Sequence, residues 1–127
     1  MQPFQYVPAK LGLSAVTLAS ERTSNTFGTL GREELTVYVN LSAQSAASAV
    51  LVKVDGTNDS GTTWFPVQSV SIAAGTGTLS DYVASKAVSG ADTFEARFDL
   101  NFQQCRIRVS GTSGAAGDVV SVSALVR

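Results

Sequence analysis

The sequence predicts an all-β fold, a two-sheet antiparallel sandwich of jelly-roll or Greek-key type with about seven or eight strands. Three observations point there. Apolar and polar residues alternate over Thr93–Leu100, Cys105–Ser110 and Val120–Val126, and successive side chains of a strand face opposite sides. Runs of this kind recur along the chain at intervals of roughly 8–15 residues, separated by Gly, Ser, Thr and Asn. Only 15% of the 127 residues are charged, and Ser, Thr, Gly, Ala and Val dominate, so strong helix formers are scarce.

Taken in order, residues 1–10 hold Pro3 and Pro8, which disfavour helix and central strand. They read as an extended arm ahead of a single sandwich domain, 11–127. Phe4, Tyr6 and Val7 make the arm apolar enough to dock on a neighbouring subunit or shell; the rival expectation is that it folds back over an open sheet edge of its own domain. Leu11–Ala19 reads as a first strand, with Leu11, Leu13, Val16 and Leu18 inward after a shift of register. Ser20–Arg32, with Gly28 and Gly31, reads as a loop.

Glu34–Ser42 is a strong strand, Leu35, Val37, Val39 and Leu41 alternating with Thr36, Tyr38 and Asn40. A short connection, Ala43–Ser48, leads to Ala49–Asp55, where Val50, Val52 and Val54 alternate with Leu51, Lys53 and Asp55. The two strands are expected to pair. Asp55–Thr63 is dense in turn formers and predicts a hairpin tip before a strand from Trp64 to Ile72, in which Pro66 marks an edge or a bulge. Gly75 and Gly77 lead into Thr78–Val88, which suits strand or irregular backbone, and also a short helix capped by Ser80 or Asp81. The three C-terminal strands then read as one sheet with a dry and a wet face. The expected core is Leu35, Val37, Val39, Val50, Val52, Val54, Phe94, Phe98, Ile107, Val109, Val120 and Val122.

Composition excludes several functions. The net charge is −1, and no cluster of Lys and Arg is present to neutralise phosphates, so a nucleic-acid partner is not expected. No segment approaches the roughly 20 apolar residues of a membrane helix. The first residues lack the basic start and apolar run of a signal peptide, which suggests synthesis in a host cytoplasm. One cysteine allows no internal disulfide; Cys105 falls on an inward position and reads as a buried thiol.

Histidine is absent, which removes the commonest general base and most zinc sites. No nucleophile elbow, phosphate-cradling loop or carboxylate pair in a sugar-binding context appears, so neither an enzyme nor a cofactor is expected. Asp55-x-Thr57-x-Asp59-x-Gly61 superficially matches a calcium loop. Its glycine comes one position late, however, and Pro66 stands where a closing Glu should be, so it reads as a polar turn. Trp64, with Asn58 and Asp59 close by, could form a stacking platform for a glycan, or could simply seal a sheet edge. Arg97, Arg106 and Arg108 fall on wet faces, with Glu95 and Asp99 expected opposite them. They read as surface ion pairs, or as a charged face that meets another subunit.

Two stretches carry a resemblance. Val-Lys-Val-Asp-Gly-Thr-Asn-Asp-Ser-Gly-Thr-Thr-Trp-Phe-Pro-Val (52–67) resembles a strand–turn–strand hairpin of small β-sandwich virion proteins of tailed bacteriophages. Cys-Arg-Ile-Arg-Val-Ser-Gly-Thr-Ser-Gly-Ala-Ala-Gly-Asp-Val-Val-Ser-Val-Ser (105–123) is similar to their closing hairpin. Comparable hairpins occur in galactose-binding-like carbohydrate modules. The resemblance implies a capsid decoration (cement) protein, often trimeric, that clamps capsomers on the head surface and has no catalytic residues. Its partners would be the major capsid protein or other virion proteins, and its location the virion. The alternatives are a head–tail or tail component, and a carbohydrate-binding module, free or on a virion fibre.

Overall fold

A computed structural model describes residues 5–6, 11–73 and 77–127, and no described residue is helical. Short segments come first: β1 (Gln5–Tyr6), β2 (Val16–Thr17), β3 (Arg22–Thr23) and β4 (Phe27–Gly28). Two long strands follow, β5 (Glu34–Ala43) and β6 (Ala49–Thr57), and then β7 (Phe65–Pro66), β8 (Ser69–Ala73), β9 (Gly77–Leu79) and β10 (Ala84–Ala87). The chain closes with β11 (Asp92–Asp99), β12 (Gln104–Thr112) and β13 (Val119–Val126). The segments beyond the expected seven or eight are two-residue pieces. Thr78–Val88 is strand and turn.

All pairing is antiparallel and builds a two-sheet sandwich. The first sheet runs β1-β13-β5-β11-β8, with β2 also on β13; the second runs β3-β12-β6-β10-β9, with β4 on β12 and β7 on β6. Successive long strands alternate between the sheets. This corrects three expectations. β5 and β6 are not neighbours; β12 and β13 do not form a closing hairpin; and the three C-terminal strands are split, β11 and β13 in one sheet and β12 in the other. The physical reason is that period-two alternation reports which side chain faces the core and is silent about which strand lies alongside. The hairpin at 52–67 does form, with Asp55 opposite Pro66 and Gly56 opposite Phe65. The expected strand from Trp64 to Ile72 is broken: β7 belongs to the second sheet and β8 to the first, so the chain crosses the sandwich at Val67–Gln68.

Every residue of the expected core is buried, together with Leu11, Leu13, Leu18, Phe27, Leu41, Ala96, Leu100 and Cys105. Full burial of a Val, Leu, Ile or Phe side chain stabilises by about 1.5–3 kcal/mol, and the two inner faces interdigitate into one layer. No single strand explains residues 11–29. Ala15 (φ 51) and Gly12 (φ 73) take left-handed backbone that breaks the strand and shifts its register. The segment instead borders both sheets. Leu13 and β2 lie along β13, while β3, Ser24 and β4 lie along β12. The sequence between them is irregular because it must satisfy two sheet edges, which would otherwise offer unpaired backbone. β1 covers the C-terminal end of the β13 edge, Gln5 opposite Val126 and Tyr6 opposite Leu125. Phe4 and Val7 lie outside the described residues.

At one end of the sandwich the β5–β6 and β12–β13 connections meet around Asp118, a fully buried carboxylate. It accepts N–H bonds from Ser45 (2.6 Å), Ala47 (3.1 Å) and Ala115 (2.8 Å), with Ala46 shared between its two oxygens. Burial alone would raise its pKa, but the bonds from Ser45, Ala115, Ala47 and Ala46 outweigh this and hold it below the usual carboxylate value. Gly114 is required beside it, since a Cβ there would overlap the Leu18 carbonyl oxygen.

Candidate functional site

Three surface features stand out, one on each sheet and one along the flank. On the wet face of the second sheet, β6 presents Leu51, Lys53 and Asp55 while β12 presents Arg106, Arg108 and Ser110, with Arg106 opposite Asp55 and Arg108 opposite Lys53. Arg106 Nε donates to Asp55 Oδ2 at 2.9 Å and Arg108 Nη2 to Oδ1 at 3.1 Å. Arg108 Nε lies 2.8 Å from Oδ2 but is not aligned to donate, so that approach is an ion contact only. Glu21 adds a second carboxylate, 3.3 Å from Arg108 Nη1. Burial pulls the Arg108 pKa down, while Asp55 and Glu21 outweigh it and push it up. The guanidinium of Arg106 sits 4.1 Å from the centroid of the Trp64 ring, a cation–π contact contributing on the order of 0.5–2 kcal/mol.

Two site expectations change here. Arg97 is on β11 in the other sheet, so it does not share a surface with Arg106 and Arg108; their carboxylate partners are Asp55 and Glu21, not Glu95 and Asp99. Outward parity placed all three arginines on wet faces, and it could not say on which sheet. Trp64, Asn58 and Asp59 do share one loop, yet each is already engaged. Arg106 lies over the half-buried Trp64 ring, and the Asn58 side-chain oxygen accepts from Gln103 N–H at 2.7 Å. Asp59 Oδ1 accepts from the Thr57 hydroxyl at 2.7 Å and from Thr63 N–H at 2.9 Å, and the Thr63 bond leads in lowering its pKa. With Asp55 turned to the arginines and Asp59 to its own loop, added calcium or a chelator is expected to leave the melting temperature unchanged. A rise of several degrees with calcium in a thermal scan would contradict this.

The first sheet carries an open cleft of about 690 Å³ on its wet face. Strand register defines it. Ser123, Tyr38 and Glu95 form one row across β13, β5 and β11; Ser121, Asn40 and Thr93 form the next. The backbone of Val122, Val39 and Phe94 is the floor between the rows, and Leu13–Ser14 forms a wall. That wall is held by Val122 N–H to Leu13 O and by Ala15 N–H to Ser121 Oγ, each 2.9 Å. Sequence reasoning placed Tyr38 and Asn40 on a wet face without singling them out. Only the order β13-β5-β11 assembles the six side chains.

Along one flank run β8 and β9, the outermost strands of the two sheets. From Val67 to Ser80 no residue is charged. Val70, Leu79 and Tyr82 there are 46%, 41% and 48% exposed. Ser69 N–H bonds to Asp81 O at 3.0 Å, and the Ser69 hydroxyl bonds to Ser80 O, so this flank is locally knit. At the Trp64 end, Phe65 is half exposed and stacks on Phe102 with ring centroids 5.9 Å apart. Gly56 lies beneath Phe102, where a Cβ would overlap the ring.

Reactive groups are few. Cys105 is buried, and burial followed by the nearby Asp55 charge pushes its thiol up to about 12, so it stays protonated at neutral pH. Among the described residues no three His, Cys, Asp or Glu side chains converge as metal ligands.

No family model and no curated protein sequence matches the chain. Solved structures do. The SPBc2 prophage-derived protein YomS superposes with a TM-score of 0.57 at 14% identity, over 99% of this chain and 96% of that one. CBM28, a carbohydrate-binding module specific for non-crystalline cellulose, gives 0.45 at 9% identity, over 84% and 63% of the two chains. CBM27-1 of Caldicellulosiruptor saccharolyticus, in complex with mannohexaose, gives 0.43 at 9% identity, over 88% and 69%. At 14% identity the likeness to YomS is one of fold.

Proposed function

We propose that the chain is a structural virion protein of a tailed bacteriophage, a head decoration protein that binds capsomers through its surface and assembles as a homo-oligomer, with a trimer favoured. The observation that carries this reading is the flank of β8 and β9. An exposed sheet edge is ordinarily guarded by charge, whereas Val67–Ser80 has none and exposes Val70 and Leu79, with Tyr82 just beyond. Such a surface is better suited to burial against protein than to permanent contact with water. Support comes also from the shared fold, which runs nearly end to end with a prophage-derived protein. The loop at Trp64 favours a glycan module less, because Arg106 already lies on the ring.

Fractionation of purified particles tests this. The chain is expected to sediment with DNA-free capsid shells, and the double variant Val70→Lys, Leu79→Lys to remain folded but fail to add to shells lacking the protein. Sedimentation equilibrium of the free protein should give three copies. Recovery with tails alone would replace the head assignment by a tail component. Absence from particles would overturn the virion reading.

A further inference from the structure

We infer that the cleft on the wet face of the first sheet is a binding site for a neutral oligosaccharide. The inference is independent of the virion reading, since it concerns the isolated domain and a different face. The cleft volume of about 690 Å³ lies within the range of small-ligand sites, about 300–1,000 Å³. Adjacent strands lie about 4.8 Å apart and alternate residues of a strand about 6.8 Å apart, so the two rows cover roughly 10 by 7 Å.

The chemistry of the rows suits a polyol. Asn40 offers two donors and an acceptor, Thr93 and Ser123 offer hydroxyls, Ser121 keeps its hydroxyl proton to donate while its oxygen accepts from Ala15 N–H, and Glu95 accepts at two oxygens. Vicinal sugar hydroxyls each donate and accept, so they match such an array. Tyr38, 39% exposed at the centre of its row, adds an aromatic surface with a polar tip, against which the C–H face of a pyranose can pack. All six side chains stand on the long strands β5, β11 and β13; Tyr38, Asn40 and Glu95 are paired on both sides, and Thr93, Ser121 and Ser123 are paired with β5.

Other ligand classes fit less well. A peptide cannot add as a strand, because β5 and β11 lie between two neighbours and β13 is bordered by β5 and by the Leu13–β2 segment. Glu95 is the one acidic side chain of the lining and no Lys or Arg accompanies it, so the cleft disfavours polyanions such as nucleic acid or uronate polymers.

Titration calorimetry of the folded protein with cellohexaose and with mannohexaose tests the site, with an oligogalacturonate as the anionic control. Binding of at least one neutral hexamer and none of the oligogalacturonate is expected. Tyr38→Ala and Asn40→Ala should each weaken it at least about tenfold. Trp64→Ala, on the other sheet, should leave it intact. Equal melting temperatures for the variants establish that the loss is local. The inference is overturned by no heat with either neutral hexamer at millimolar concentration, by binding that survives both Tyr38→Ala and Asn40→Ala, or by binding that is lost only in Trp64→Ala.

Discussion

Asp118→Ala is expected to destabilise the fold by about 3–5 kcal/mol, a large part of the 5–15 kcal/mol that holds a typical domain together. The carboxylate is buried and takes N–H bonds from Ser45, Ala46, Ala47 and Ala115. Truncation takes the acceptor from four N–H groups, of which that of Ala47 is buried while those of Ser45, Ala46 and Ala115 are partly within reach of water; a buried donor left unmet costs about 1–3 kcal/mol. Asp118→Asn should cost less, because one oxygen remains, but its amide group turns donors toward donors. The same bonds create a pH dependence. At neutral pH the carboxyl is ionised in both the folded and the unfolded chain, and its contribution is complete. Below the ordinary Asp value, about 3.9, the unfolded chain takes up a proton first, because the folded pKa is depressed. Stability therefore declines as the pH falls through this acidic range. Asp59 and Asp92 are lowered too, Asp59 chiefly by Thr63 N–H and Asp92 by Lys86, so Asp118→Asn should flatten the decline without abolishing it. Urea titrations at neutral and acid pH measure this; an Asn variant with an undiminished slope would place the effect elsewhere.

Ile107→Asn should cost about 3–5 kcal/mol, and Val37→Asn nearly as much. Both side chains are fully buried, on β12 and β5, in different sheets. The substitution removes apolar contact and strands an amide where no water reaches. Ile107→Val, which only trims a methylene, should cost about 0.5–1.5 kcal/mol. Chemical denaturation of the three variants tests whether the two inner faces act as one core. A loss below about 1 kcal/mol for either Asn variant would show that its face can yield independently.

The inward residues were legible in the sequence because burial imposes alternation, which runs through β11, β12 and β13 and through most of β5 and β6, broken only where Thr36 and the Asp55–Thr57 end of β6 are buried as well. Their partners were not. Ala43–Ser48 and Gly111–Gly117 look like hairpin turns, yet each carries the chain from one sheet to the other. A short polar connection has the same composition in either role. Asp118 stood at the end of such a stretch, and its importance depends on Ser45, distant by 73 positions. Phe27 was hidden in a segment whose polar residues spelled loop, although its side chain enters the core. The Arg106–Trp64 contact and the cleft around Tyr38 arise between strands far apart in sequence. Outward parity named their members without assembling them.

The strip of residues 11–29 along β12 and β13 has a consequence in time. Ser24 meets Ile107 across 83 positions, and Ala15 meets Ser121 across 106. Closing loops of that length carries an entropy cost before any contact compensates it, and chains rich in such distant contacts fold slowly. During synthesis the strip emerges long before the strands it will border, and must wait unpaired for them. β12 and β13, once formed, stand with bare edges until it arrives. For that interval the nascent protein is most open to pairing with the wrong chain, so the irregular opening segment works as a late-closing seam.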